Sequence, residues 1–165
     1  MRFDHYLLRA AFTAGLSLFM ASCDPSQADP QWPGIYVGSV SNSGTCSDGS
    51  SWGQTSEQLE IVLTRTGDTV TWEAPCSLVL SPATVIADID PDGDTAMVRP
   101  YACPHEAPTK SVPTRDIKGT GGTLTLRPDS LYVELKRTIA GCTVQSGCSN
   151  PCNVQFEGDL MRLGE

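Results

Sequence analysis

Residues 59–73 read Leu59-Glu60-Ile61-Val62-Leu63-Thr64-Arg65-Thr66-Gly67-Asp68-Thr69-Val70-Thr71-Trp72-Glu73. Leu59, Ile61 and Leu63 alternate with Glu60 and Thr64. Beyond Thr66-Gly67-Asp68, Val70 and Trp72 alternate with Thr69, Thr71 and Glu73. An apolar period of two puts one set of side chains on a single face, and the central Gly-Asp supplies a turn. The stretch therefore predicts a β-hairpin with one buried and one wet face. Thr123 to Arg127 and Leu131 to Lys136 repeat the arrangement across Pro128-Asp129-Ser130. There Leu131, Val133 and Leu135 lie against Tyr132, Glu134 and Lys136.

Ile35 to Val40, Val85 to Ile89, Thr95 to Tyr101 and Val154 to Leu163 are further candidates, giving about eight short strands. The 15 Gly and 12 Pro, with abundant Thr and Ser, favour pleated faces and tight turns over helix. The expected class is all-β: one small antiparallel barrel or sandwich, in residues 34–165. Short hairpin connections between successive strands favour an up-and-down barrel, similar in that respect to the lipocalins. That family's G-x-W signature is absent in its usual form, with Trp32-Pro33-Gly34 at the corresponding place. Ala102 to Gly121, with Pro104, Pro108 and Pro113 and no alternation, reads as a long loop.

The first nine residues carry Arg2 and Arg9 against Asp4, and Ala10 to Ser22 then runs thirteen residues without a charge. A spanning helix needs about twenty apolar residues, so this length, behind a positive start, fits a cleavable export signal over residues 1–22. Met20-Ala21-Ser22-Cys23 resembles the lipobox of bacterial lipoproteins, with Met20 where that family usually has Leu. The resemblance implies that Cys23 becomes the first mature residue, alkylated by a diacylglycerol group and acylated (typically palmitate) on its amine. Residues 23–33 would then be lipid attachment and linker. Two or three acyl chains hold a protein on a membrane where one does not, at about 0.8 kcal/mol per buried CH₂. Asp24 resembles the inner-membrane retention signal of enteric bacteria. The alternative is cleavage after Ala28, which would release a soluble exported protein.

Seven cysteines are present, and assigning Cys23 to lipid leaves an even set: Cys46, Cys76, Cys103, Cys142, Cys148 and Cys152. In an oxidising envelope these form three bridges, and fifteen pairings are open. A zinc site would draw on Cys103-Pro104-His105 and Cys148-x₃-Cys152, but there is no C-x₂-C pair.

The net charge of −8 gives no basic stripe for nucleic-acid phosphates. Asp88, Asp90, Asp92 and Asp94 have the D-x-D-x-D-G spacing of an EF-hand-type calcium loop closed by Gly93, but Arg99 stands where the motif needs a bidentate Glu. The competing explanation is a hairpin turn built on Pro91-Asp92-Gly93. Gly49-Ser50-Ser51-Trp52-Gly53 matches the G-x-S-x-G nucleophile elbow, but it sits in a Ser/Gly-rich stretch leading into a strand, not a helix. His105 is the only histidine beyond the leader, and nothing nominates a pair of catalytic carboxylates.

The expected function is therefore a non-enzymatic, lipid-anchored envelope protein facing the periplasm or the cell surface. It would act as a binding or structural module whose partner is an envelope protein. The alternatives are a carrier of a small hydrophobic ligand or an enzyme inhibitor, with Trp52, Tyr101 and the long loop as the residues to inspect, and a hydrolase with an unrecognised site. Three bridges at about 2–4 kcal/mol each supplement a core that a chain of this size can bury. Reduction should consequently lower the denaturation midpoint yet leave the β-type circular dichroism spectrum, and complete loss of that spectrum would contradict it.

Overall fold

A computed structural model describes residues 31–76, 82–105, 107–110 and 114–164. The export signal, Cys23, Asp24 and the alternative cleavage site at Ala28 lie outside the described residues. Nine strands follow one another: β1 (Gly34–Cys46), β2 (Ser51–Thr66), β3 (Thr69–Ala74), β4 (Ala83–Ile89), β5 (Thr95–Val98), β6 (Tyr101–Ala102), β7 (Thr114–Leu126), β8 (Ser130–Thr143) and β9 (Gly147–Arg162).

All pair antiparallel in one sheet of order β5-β4-β3-β2-β1-β9-β8-β7-β6, and β5 also pairs β7, which closes the sheet on itself. Val98 faces Gly122, and Tyr101 faces Gly119 three residues further along both strands. β5 and β6 are thus one strand in one register, interrupted at Arg99-Pro100, where proline cannot donate to a ladder. Counted so, eight strands run up and down around a ring, and β2 pairs β3 only over Thr64–Thr66, so that closure is confined to one end of β2.

Alternation decides what lies inside. Tyr36 and Val40, Ile61 and Leu63, Val85 and Ala87, Leu131, Val133 and Leu135 all join one buried cluster, and strand neighbours such as Glu60, Val62 and Tyr132 do not. Trp32, in the stretch read from the sequence as linker, belongs to the same cluster at 1% exposure. Its indole Nε1–H donates to the Gly93 carbonyl at 2.7 Å in the β4–β5 turn, and the Tyr36 hydroxyl donates to the Gln31 carbonyl at 2.8 Å. Arg162 Nη2 donates to the Pro33 carbonyl at 2.8 Å. The segment entering β1 therefore folds across this end of the ring and seals it. Burial raises the Tyr36 phenol above its ordinary pKa, against a smaller opposing effect of the Arg162 charge.

At the opposite end the strands are unequal. β1, β2, β7, β8 and β9 have 13, 16, 13, 14 and 16 residues, while β3, β4 and β5 have 6, 7 and 4. Five strands outrun the others and form a rim, where Cys76, Ala83, Cys103 and Ile117 make a second, smaller buried cluster. β7 begins at Thr114, inside the stretch the sequence suggests is loop. Thr114 to Gly119 pairs β8 from Cys142 back to Arg137, and Lys118 and Gly119 also pair β6. Pairing to β8 along its whole length, and to β6 at Lys118 and Gly119, makes it a strand without a run of apolar side chains. β2 likewise starts at Ser51, in the Ser/Gly-rich stretch.

Closure requires close backbone approach at the β1–β9 seam. The ladder skips residues 38–40, between Val37↔Met161 and Ser41↔Glu157. There a Cβ on Gly38 would stand 2.5 Å from the Asp159 carbonyl oxygen, and one on Gly158 would stand 2.8 Å from that of Ser39. Gly158→Ala should cost about 2 kcal/mol or more in chemical denaturation. Gly141→Ala, where nothing lies within 4 Å, should stay within about 0.5 kcal/mol. Equal effects would contradict the tight seam.

Candidate functional site

Part of the rim is built from a row of cross-strand neighbours. Tyr101 faces Gly119, Gly119 faces Arg137, Arg137 faces Val154, Val154 faces Gly44, and Gly44 faces Trp52. Directly opposed residues of an antiparallel pair share a face, and Val154 belongs to the core cluster. The whole row therefore faces inward. Trp52 reaches this face because the β1–β2 register shifts between Asn42 and Gly44. Both aromatic rings lie over the glycine opposite: the Trp52 ring occupies the space a Gly44 Cβ would fill, and the Tyr101 ring does so at Gly119. Trp52 Nε1–H donates to Asn42 Oδ1 at 3.4 Å, and Asn42 Nδ2 donates to Glu57 Oε2 at 3.2 Å.

Between the aromatics stands Arg137. Its guanidinium lies 5.0 Å from the centre of the Phe156 ring, a cation–π arrangement. Its Nε–H is out of contact with water and has no acceptor. Two clefts share Trp52 as a wall. One, of about 540 Å³, is lined by Arg137, Lys136, Gly44, Thr120 and Asn153 among others. The other, of about 570 Å³, is lined by Arg115, Ile139, Gly141 and Cys152 among others. Both are of small-molecule size.

The rim is stapled. Cys46–Cys152 joins β1 to β9, and Cys142–Cys148 joins β8 to β9 across their hairpin. Cys76–Cys103 ties the β3–β4 connection to the chain beyond β6. All six cysteines expected to form bridges do so. At the β1–β2 turn, Asn150 Oδ1 accepts from Ser47 Oγ and from the Asp48 amide at 3.0 Å each. Hydrogen bonds from the Ser50 hydroxyl and amide hold the Asp48 carboxyl below its ordinary pKa.

The other sequence candidates gain no such setting. Asp88, Asp90, Asp92 and Asp94 do not converge, for the one group of three potential metal ligands among the described residues is His105, Cys142 and Cys148, and those two sulfurs are bonded to each other. The Asp90–Asp94 stretch is a hairpin turn: the Gly93 amide donates to the Asp90 carbonyl at 2.9 Å, and Gly93 takes φ +85°. Asp88 pairs in a fork with Arg99, at 2.8 Å from Nε and 2.5 Å from Nη2, so the residue in the closing-carboxylate position itself supplies the counter-charge. Ser51 opens strand β2 instead of a strand-to-helix elbow. His105 Nδ1 lies 3.4 Å from the Arg115 carbonyl oxygen.

Trp52 and Tyr101 were nominated by the sequence; Arg137, Gly44 and Gly119 were not. Arg137 had a signal: it is the next inward position after Leu131, Val133 and Leu135, and a charge there breaks the alternation.

No protein-family model matches this chain, nor does any curated protein or solved structure.

Hydrogen bonds from Arg99, reinforced by its charge, lower the Asp88 pKa. The stabilisation is in place above the unfolded carboxyl's pKa and is lost as pH falls through the lower folded value, and it is small because both side chains are half exposed. Carboxyl NMR should put the Asp88 midpoint below the ordinary aspartate range, with Arg99→Gln returning it upward. Calcium titration should produce neither heat nor a change in melting temperature.

Proposed function

We propose that this chain is an exported, lipid-tethered binding module of the cell envelope. Residues 1–22 direct export, Cys23 carries the acyl chains, and the following residues lead into a disulfide-stapled barrel. The observation that carries this reading is the polarity of the barrel. The chain enters at the sealed end, where Trp32 and Pro33 are held by Gly93 and Arg162. β1 then runs 13 residues to the rim that holds Trp52 and the two clefts, about 40 Å along the strand. A membrane anchor at one end and an exposed recognition surface at the other suit a tethered protein that meets its partner away from the bilayer.

Three disulfides are what an oxidising, extracytoplasmic compartment allows. With every described cysteine bonded, none offers a thiolate nucleophile, which favours binding over thiol chemistry. The core also favours a module over a carrier with an interior ligand. Trp32, Tyr36, Ile61, Leu63, Leu124, Leu131 and Leu160 are almost wholly buried within one cluster, and both clefts that share Trp52 lie at the rim.

Intact-mass measurement of protein purified from its native membrane tests the proposal. The expected mass lacks residues 1–22 and carries acyl chains on Cys23. A mass beginning at Asp29 without lipid, or at Met1, would overturn the tether.

A further inference from the structure

The chain is acidic overall, and most of its described cations are already engaged. Arg99, Lys118, Arg127 and Lys136 pair with Asp88, Asp116, Asp159 and Glu134. Arg65 and Arg162 donate to the carbonyls of Gly67 and Pro33. Arg137 differs from all of these. It faces inward on β8, rests on the Phe156 ring and makes no hydrogen bond or ion pair among the described residues, although its Nε–H is shut off from water. Leaving a buried donor of a charged group unpaired is costly, and a guanidinium fixed by a ring face keeps its fork free for a planar acceptor.

We propose that the cleft between Arg137 and Trp52 binds a small ligand that joins an oxyanion, carboxylate or phosphate, to a flat aromatic group. Arg137 supplies the charge. Trp52, 38% exposed and lying over Gly44, supplies a ring face against which a planar group stacks. The volume of about 540 Å³ accommodates both parts of such a molecule. Lys136, from the same lining, adds positive potential, although it is paired to Glu134 at 3.1 Å. The assignment deepens the reading of the rim as the recognition end and does not depend on the lipid.

The test is a titration of the full mature protein in detergent, followed by tryptophan emission. Trp32 and Trp72 are buried, so Trp52 is the responsive ring. The probes are benzoate, phenyl phosphate, inorganic phosphate and benzamide. Benzoate or phenyl phosphate should saturate the signal, and the tighter of the two identifies the oxyanion. Inorganic phosphate and uncharged benzamide should bind at least about tenfold more weakly, the factor that corresponds to about 1.4 kcal/mol. Arg137→Gln should weaken the best probe by a similar factor while the β-type circular dichroism spectrum is kept. Arg137→Lys retains charge without the fork and should recover only part of the affinity. Trp52→Phe should remove the emission change.

Benzamide binding as tightly as benzoate, undiminished affinity in Arg137→Gln, an emission change that survives in Trp52→Phe, or no saturation by any probe would each overturn the assignment. Saturable anion binding to a protein whose mass shows no lipid would support this site while overturning the tether. An acylated protein that binds no probe would do the reverse.

Discussion

The pairing of the first strand with the last is the constraint on which the rest of the molecule depends. β1 runs beside β9 from Tyr36↔Arg162 to Cys46↔Cys152, and without that ladder the sheet would end in two long open edges. Bringing the strands together costs chain entropy, because the partners are more than a hundred residues apart, and it leaves little room at the middle of the seam. Gly38 and Gly158 provide that room by presenting no Cβ to the facing backbone. The Cys46–Cys152 bridge then holds the outer end of the ladder. With 106 residues of sequence separation, its contribution by the chain-entropy estimate is about 4.7 kcal/mol.

Closure combined with unequal strand lengths explains why function concentrates at one end. Where all strands are present, inward side chains meet across the ring and make a core, and Trp32 seals the bottom through the Gly93 carbonyl. Above β3, β4 and β5, the five longer strands continue, and there Cys76, Ala83, Cys103 and Ile117 form a second, smaller buried cluster with Tyr101 and Ile139 packed against it. The inward row of the long strands changes from Leu135 and Phe156 to Arg137, Gly44 and Trp52, from hydrocarbon to groups suited to recognition. That cluster is small, and covalent and polar links add support to the rim. The Cys46–Cys152 and Cys142–Cys148 bridges and the hydrogen bonds among Ser47, Asp48, Ser50 and Asn150 all lie there.

Elements governed by side-chain period were legible in the sequence. The hairpin at Thr66-Gly67-Asp68, the one at Pro128-Asp129-Ser130 and the up-and-down order all follow from alternation and turn chemistry. The first part of β7 was hidden because Thr114 to Thr120 offers only Ile117 as a buried apolar residue and is held by its two neighbours instead. The seam was hidden too, since no local pattern reports which distant strand a glycine will approach. At the site, Trp52 and Tyr101 stood out by residue type. The role of Arg137 emerges only when β8 is continued past Lys136 and its partners Gly119 and Val154 are known. The four aspartates near the β4–β5 turn illustrate the converse: their spacing suggests a metal loop, whereas the fold makes them a turn and an ion pair.

Peptide mapping of the unreduced protein tests ring closure most directly, because one bridge joins the first strand to the last. A closed ring should yield a peptide pair linking Cys46 to Cys152, alongside Cys76–Cys103 and Cys142–Cys148. A pair linking Cys148 to Cys152, or Cys46 to Cys76, would contradict it.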